Sequence, residues 1–152
     1  GCLKAISDLR GLNNFKNILD MGCGSGILAI ALAKAWPKAA VTAADNDAES
    51  VRVTEYNKIL NESHHIKTLI SEGFDQLLEH PPFDLIVANI LAKPLCEMAP
   101  MMAKMTTEKG WIILSGLLDR QENDVCQTYL GQGFKLMKRY PLENWSTLVF
   151  QK

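Results

Sequence analysis

The segment Ile18-Leu19-Asp20-Met21-Gly22-Cys23-Gly24-Ser25-Gly26 leaves a short apolar run and enters an Ala/Leu/Ile-rich stretch that stops before Pro37. Glycine at alternate positions lets the main chain turn tightly and come within contact distance of a ligand, where a side chain would intrude. A buried strand that passes through such a turn into a helix is the ligand-binding end of an open α/β sheet. The rest of the chain repeats the alternation. Asn17 to Met21, Ala39 to Ala44, Ile66 to Ile70, Phe83 to Ala88 and Trp111 to Ser115 are apolar almost throughout, as strands buried on both faces of a parallel sheet must be. Between them the spacing predicts helices over Ile27 to Trp36, Ala48 to Leu60, Leu91 to Met105 and Asp119 to Leu130. In the second of these, Val51, Tyr56, Ile59 and Leu60 lie within helical reach of one another. Pro94 and Pro100 are expected to distort the third or confine it to part of its span. After Gly131 and Gly133 the period changes, and Phe134 to Tyr140 and Trp145 to Phe150 read as an antiparallel hairpin joined by Pro141 to Asn144. The expected fold is α/β: a doubly wound, Rossmann-like sheet of seven mostly parallel strands with a C-terminal antiparallel hairpin.

The glycine spacing narrows the ligand. A dinucleotide turn reads G-x-G-x-x-G, whereas here the third glycine comes one position early and Ile27 stands where the longer motif needs glycine; no Gly-Lys-Ser/Thr follows to make a P-loop. Asp45, about 20 residues further on at the end of the next strand, has two acceptor oxygens that suit the paired hydroxyls of a ribose. Asp47 reads as the cap of the following helix. Asp20 is placed to orient the loop, or to meet a ligand ammonium through water. In the turn Ser71 to Asp75, which should flank a base, Phe74 is the candidate for packing on its face, although an aromatic there also suits a core. Asn89 ends the fourth apolar run and is the one polar side chain where a second reactant would approach.

Composition bounds the rest. The chain has 152 residues and is 47% hydrophobic, enough for one compact domain spanning 1–152. A net charge of -1 gives no excess positive field to hold a nucleic acid, so no stable nucleic-acid partner is expected. Cys2, Cys23, Cys96 and Cys126 form no C-x-x-C pair, and His64 and His65 lack further ligands at metal spacing, so neither a zinc site nor a disulfide framework is expected. No run approaches the roughly 20 apolar residues of a membrane span. These features predict a cytoplasmic protein and leave its oligomeric state open. Met98, Met101, Met102 and Met105 recur at helical spacing and are expected to pack on the sheet. Gly1 to Arg10 reads as the later part of a helix with Leu3, Ile6 and Leu9 on one face, and the opening without Met suggests that the chain begins inside a longer protein.

Three stretches carry a more specific likeness: Leu19 to Ile30; Val87-Ala88-Asn89-Ile90-Leu91-Ala92 with Pro94-Leu95; and Ile113-Leu114-Ser115-Gly116-Leu117-Leu118 with Gln121. Together they resemble the PrmA family, the methyltransferases of the eleventh protein of the large ribosomal subunit. The likeness runs from Gly1 to the Trp145 strand. It implies a class I fold, S-adenosylmethionine as cofactor, and methylation of lysine and α-amino groups of a ribosomal protein. It also implies that Gly22, Gly24 and Gly26 line the methionyl part of the cofactor, Asp45 its ribose, and Asn89 the acceptor amine. Family members carry a substrate-gripping module ahead of this domain, which this sequence lacks, and the proline common after the second Asp of Asp45-Asn46-Asp47 is replaced by Ala48.

At Asn89 the amide carbonyl can accept a hydrogen bond from an incoming neutral amine and aim its lone pair, so that alignment and desolvation do most of the work. Enzymes that methylate flipped bases follow this position with prolines and an aromatic ring. Ile90, Leu91 and Ala92 stand here instead, which points away from a base as substrate. The alternatives are a stand-alone methyltransferase acting on another protein, a small molecule or RNA, and a cofactor-binding scaffold without catalysis.

Overall fold

The computed structural model describes residues 1–152. Elements follow in the order α1 (Cys2–Arg10), β1 (Asn17–Met21), α2 (Ile27–Ala35), β2 (Ala40–Asp45), α3 (Ala48–Leu60), β3 (Lys67–Ile70), β4 (Phe83–Asn89), α4 (Ala92–Met105), β5 (Thr106–Leu118), α5 (Glu122–Gly131), β6 (Lys135–Leu142) and β7 (Trp145–Gln151). One seven-stranded sheet runs β3-β2-β1-β4-β5-β7-β6. β1 to β5 are parallel, and β7 enters antiparallel between β5 and β6. The expected fold class is therefore what forms. The hairpin turns more tightly than the spacing suggested: Leu142 pairs with Trp145, so only Glu143 and Asn144 make the turn, and Pro141 lies within β6. Being on an edge strand, Pro141 can leave its missing donor to the solvent side.

Neighbouring residues of the central strands go to opposite faces. Leu19, Ile86, Ala88, Ile112 and Leu114 join a core with α4 and α5, while Ile18, Leu85, Val87 and Ile113 join one with α1 and α2. Both cores are apolar, which is why the strands read as unbroken hydrophobic runs rather than alternating ones. No helix is long and apolar enough to cross a membrane.

Three helical expectations are corrected. In α1 the buried residues are Cys2, Ala5, Ile6 and Leu9, while Leu3 is 51% exposed; the apolar stripe is set by the small residues as much as by the leucines. In α3 only Val51 and Thr54 are buried, and Tyr56, Ile59 and Leu60 lie on the outer side. α4 is not confined by its prolines but runs unbroken from Ala92 to Met105. Pro94 is in the first turn, where no backbone donor is needed. Pro100 is exposed, so the carbonyl deprived of its N–H can turn to water. Next to that point the buried Tyr129 hydroxyl donates to the Leu95 carbonyl at 2.8 Å, pinning α5 to α4. Tyr129→Phe is expected to cost about 1 kcal/mol, read by thermal melting; an unchanged melting point would mean that the hydroxyl holds nothing.

Candidate functional site

The parallel strands bring their carboxyl ends to one rim. Met21 pairs with Ala44 and Ala88, Asp45 with Ile70, and Asn89 with Ser115, so Asp45, Gly22, Asn89 and Ser115 follow one another along the edge although they are far apart in the chain. Two cavities open there. One, of about 630 Å³, is lined by Gly22, Asp45, Asn46, the Ser71–Asp75 turn and, from α4, Pro94, Glu97, Met98 and Met101. The other, of about 510 Å³, contains Asn89, Ser115, Thr147, Leu142 and Trp145. Ile90 and Leu91 belong to both and form the wall between them.

The glycine turn is held where the sequence placed it. Gly22, Gly24 and Gly26 have φ of 78°, 52° and 81°, the left-handed region that other residues enter at a cost. At Gly22 a Cβ would also lie 2.4 Å from Ile90 Cγ2. Gly22 lines the larger cavity. Gly24 donates its N–H to Asp45 Oδ2 at 2.9 Å, which ties the turn to the end of β2. Gly26 is directed elsewhere: a Cβ there would meet Thr54 of α3 at 2.9 Å, so this glycine serves the close approach of turn and helix.

Asp45 is half-buried; its Oδ1 accepts from the Asp47 N–H at 3.0 Å. With one bond on each oxygen, lone pairs remain for a diol. Asp47 caps α3 by accepting from the Glu49 and Ser50 N–H groups, as its position suggested. Phe74 is 4% exposed within the core and also lines the larger cavity. His64 and His65 are exposed.

Asp20 is fully buried beneath the turn and lines neither cavity. Its Oδ2 accepts from the Ala29 N–H at 2.8 Å, giving the start of α2 the acceptor that the N-cap Gly26 cannot offer. Its Oδ1 has no partner in the chain. Burial pushes the Asp20 carboxyl up to about 7, the Ala29 N–H opposes the rise, and nearby Asp45 adds to it. Between the unfolded value near ~4 and about 7, the folded chain keeps a proton that the unfolded chain has released. Stability from this group is therefore fully present below pH ~4 and is lost as the pH rises through the folded value. Asp20→Asn is expected to remove that slope, so the melting temperature of the variant relative to the parent should climb across this window. A difference independent of pH would show that Asp20 does not titrate there.

Several lining residues escaped the sequence reading. All four methionines pack on the core as expected, Met102 and Met105 within it and Met98 and Met101 at its border, where these two also line the larger cavity. Helical spacing alone does not separate them, because a cavity wall and a core face occupy adjoining sides of one helix. Leu142, Trp145 and Thr147 come from the hairpin, and only the insertion of β7 beside β5 brings them to Asn89. Gly116 has φ of 83°, and a Cβ there would lie 2.4 Å from the Ile90 carbonyl oxygen. A glycine between Ser115 and two leucines, in an otherwise regular strand, was the available signal for such a close approach.

The strand order with its reversed penultimate position, the glycine turn after β1 and the carboxylate closing β2 define the class I methyltransferase fold. Solved methyltransferases share it: the precorrin-6y C5,15-methyltransferase of Geobacter metallireducens GS-15 superposes with a TM-score of 0.83 at 14% identity, covering 99% of this chain and 86% of that one. The chain belongs to the ribosomal protein L11 methyltransferase (PrmA) family, whose model matches residues 1–152. The ribosomal protein L11 methyltransferase of Bradyrhizobium diazoefficiens is 40% identical over 155 residues, taking in 100% of this chain and 52% of that protein. That of Mesorhizobium japonicum is 41% identical over 154 residues, with 97% and 52% covered. The chain thus spans about half the length of the curated relatives it matches. The crystal structure of the ribosomal protein L11 methylase from Lactobacillus delbrueckii subsp. bulgaricus superposes with a TM-score of 0.88 at 29% identity, over 98% of this chain and 76% of that one.

Proposed function

We propose that the chain is the catalytic domain of an S-adenosylmethionine-dependent N-methyltransferase that acts on lysine and α-amino groups of a large-subunit ribosomal protein. The observation that carries this reading is the pair of cavities meeting at Ile90, one beside Asp45 and the glycine turn, the other beside Asn89. The larger cavity suits a cationic adenosyl cofactor. Gly22 leaves bare backbone at its floor, Asp45 keeps free lone pairs, and a buried carboxylate oxygen of Asp20 lies unpaired beneath the turn. Asp45 would hold the ribose hydroxyls, Gly22 and Gly24 the methionyl part, and Phe74 the adenine face. Asp20 would hold the loop and meet the methionyl ammonium through water; Gly26 would shape the turn from below.

When bound, S-adenosylmethionine supplies a methyl carbon whose bond to sulfur breaks with both electrons left on sulfur as the amine lone pair forms the new N–C bond. Asn89 would accept an N–H of that amine and direct its lone pair toward Ile90, the side from which the larger cavity opens. The apolar walls Leu91, Leu142 and Trp145 would strip water from the amine, which reacts only when neutral. The new ammonium releases its proton to solvent. Incubating the chain with unmodified large-subunit ribosomal proteins and isotopically labelled cofactor is expected to place label on lysine or α-amino nitrogen of one protein, read by peptide mass spectrometry. Label on RNA alone, or cofactor binding without transfer, would favour the rival readings.

A further inference from the structure

A turn that holds a ligand through its own peptide groups must itself be held, because a peptide unit free to rotate carries its donor away from the ligand and must be ordered again at each binding. Glycines make that freedom large, and they stand at alternate positions from Gly22 to Gly26. The restraint comes from α3. Thr54, fully buried, donates its hydroxyl to the Gly24 carbonyl at 3.1 Å. Asn57, three residues on and so on the same side of the helix, donates Nδ2 to the Ser25 carbonyl at 2.8 Å. Thr54 has one proton to give, and Cys23 Sγ, the alternative acceptor at 3.4 Å, is the weaker of the two. From the other side Asp45 takes the Gly24 N–H, and Asp47, whose own N–H donates to Asp45, caps the first turn of α3. A trans peptide unit carries its N–H opposite its C=O. With the Gly24 carbonyl turned onto Thr54, the N–H of exposed Ser25 therefore faces away from α3, and it finds no backbone acceptor in the chain.

We infer that Thr54 and Asn57 are positioning residues for the methionyl part of the cofactor: from behind the turn they fix the Gly24 and Ser25 peptides and leave the Ser25 N–H open to the methionyl carboxylate. This rests on the cofactor reading above and deepens it. Neither side chain lines either cavity, so both act through the backbone they hold and not on the ligand. Their hydrogen bonds end on the turn. Asp45 and the Ser71–Asp75 turn, which would meet the adenosyl half, accept nothing from them. Loosening the turn should therefore be felt by the amino-acid tail of the ligand and not by its nucleoside.

The test uses Thr54→Val and Asn57→Ala, with Thr54→Ser as the variant that keeps the hydroxyl. Calorimetry compares two ligands: S-adenosylhomocysteine, which carries the amino-acid tail, and methylthioadenosine, which ends at the thioether. The parent is expected to bind the first more tightly. Thr54→Val and Asn57→Ala are each expected to lose about tenfold in affinity for S-adenosylhomocysteine and no more than about twofold for methylthioadenosine, with Thr54→Ser near the parent on both. Circular dichroism checks that each variant is folded. Asn57 is only half-buried, so Asn57→Ala carries the test if Thr54→Val does not fold. Equal losses on the two ligands, no loss on either, or a parent that binds the two equally would overturn this inference alone. A parent chain that binds neither compound would overturn the cofactor reading, and this inference with it.

Discussion

Asp45→Ala is expected to weaken S-adenosylmethionine binding by roughly a hundredfold or more in calorimetry, the larger of the two ligand effects foreseen for this site. A carboxylate that takes two hydroxyl hydrogens gives up two charge-assisted bonds when it is removed, each of about 1.5–3 kcal/mol. The loss reaches beyond the ligand, because Asp45 also accepts from the Gly24 N–H and so fastens the glycine turn to β2. Asp45→Asn separates the two effects. The amide can still accept from Gly24, but it offers one acceptor where the diol wants two, so an intermediate affinity is expected with the fold intact by circular dichroism. Unchanged affinity in Asp45→Ala would place the ribose elsewhere.

Gly116→Ala is expected to cost the most among glycine substitutions along the rim. The residue has positive φ, and the new Cβ would meet the carbonyl oxygen, carbonyl carbon and nitrogen of Ile90 at 2.4, 2.8 and 2.9 Å. Backbone cannot swing aside as a flexible side chain can, so left-handed strain of about 1–2 kcal/mol adds to overpacking of about 1–3 kcal/mol. Denaturant unfolding should show a loss of several kcal/mol, or a displaced Ile90–Leu91 segment with both ligands bound poorly. Gly24→Ala is the control, since a Cβ there meets nothing within 4 Å and only the backbone strain remains. Equal destabilisation by the two would show that the approach to Ile90 is not what Gly116 serves.

Much of this architecture was legible because its parts are local. The glycine turn, the Asp47 cap and the five buried runs are each specified by residues next to one another, and the two-faced burial of Ile18 and Leu19, or of Val87 and Ala88, leaves no alternation to misread. Reading failed where burial depends on what lies across. Tyr56, Ile59 and Leu60 have the spacing of a core face, yet α3 covers the β2–β3 end of the sheet with Val51 and Thr54 and leaves the larger residues outside. Pro100 is a helix breaker only where its carbonyl partner is sealed from water, which a sequence does not disclose. The Asp45 half of the site followed from spacing after the turn. The wall opposite Asn89 did not, because Ser115 and Thr147 become neighbours only after β7 inserts beside β5.

Ile90 is gripped twice, its side chain over Gly22 and its peptide under Gly116. A partition clamped on both faces behaves as a stiff diaphragm: pressure on one side is delivered to the other instead of being absorbed. Filling either chamber should therefore alter the affinity of its neighbour, and by the same factor in each direction, as linkage requires. Anyone reshaping the acceptor chamber through Ile90 will find the cofactor constant moving in step, and selectivity is more freely tuned from Leu142 or Trp145, which border one chamber alone.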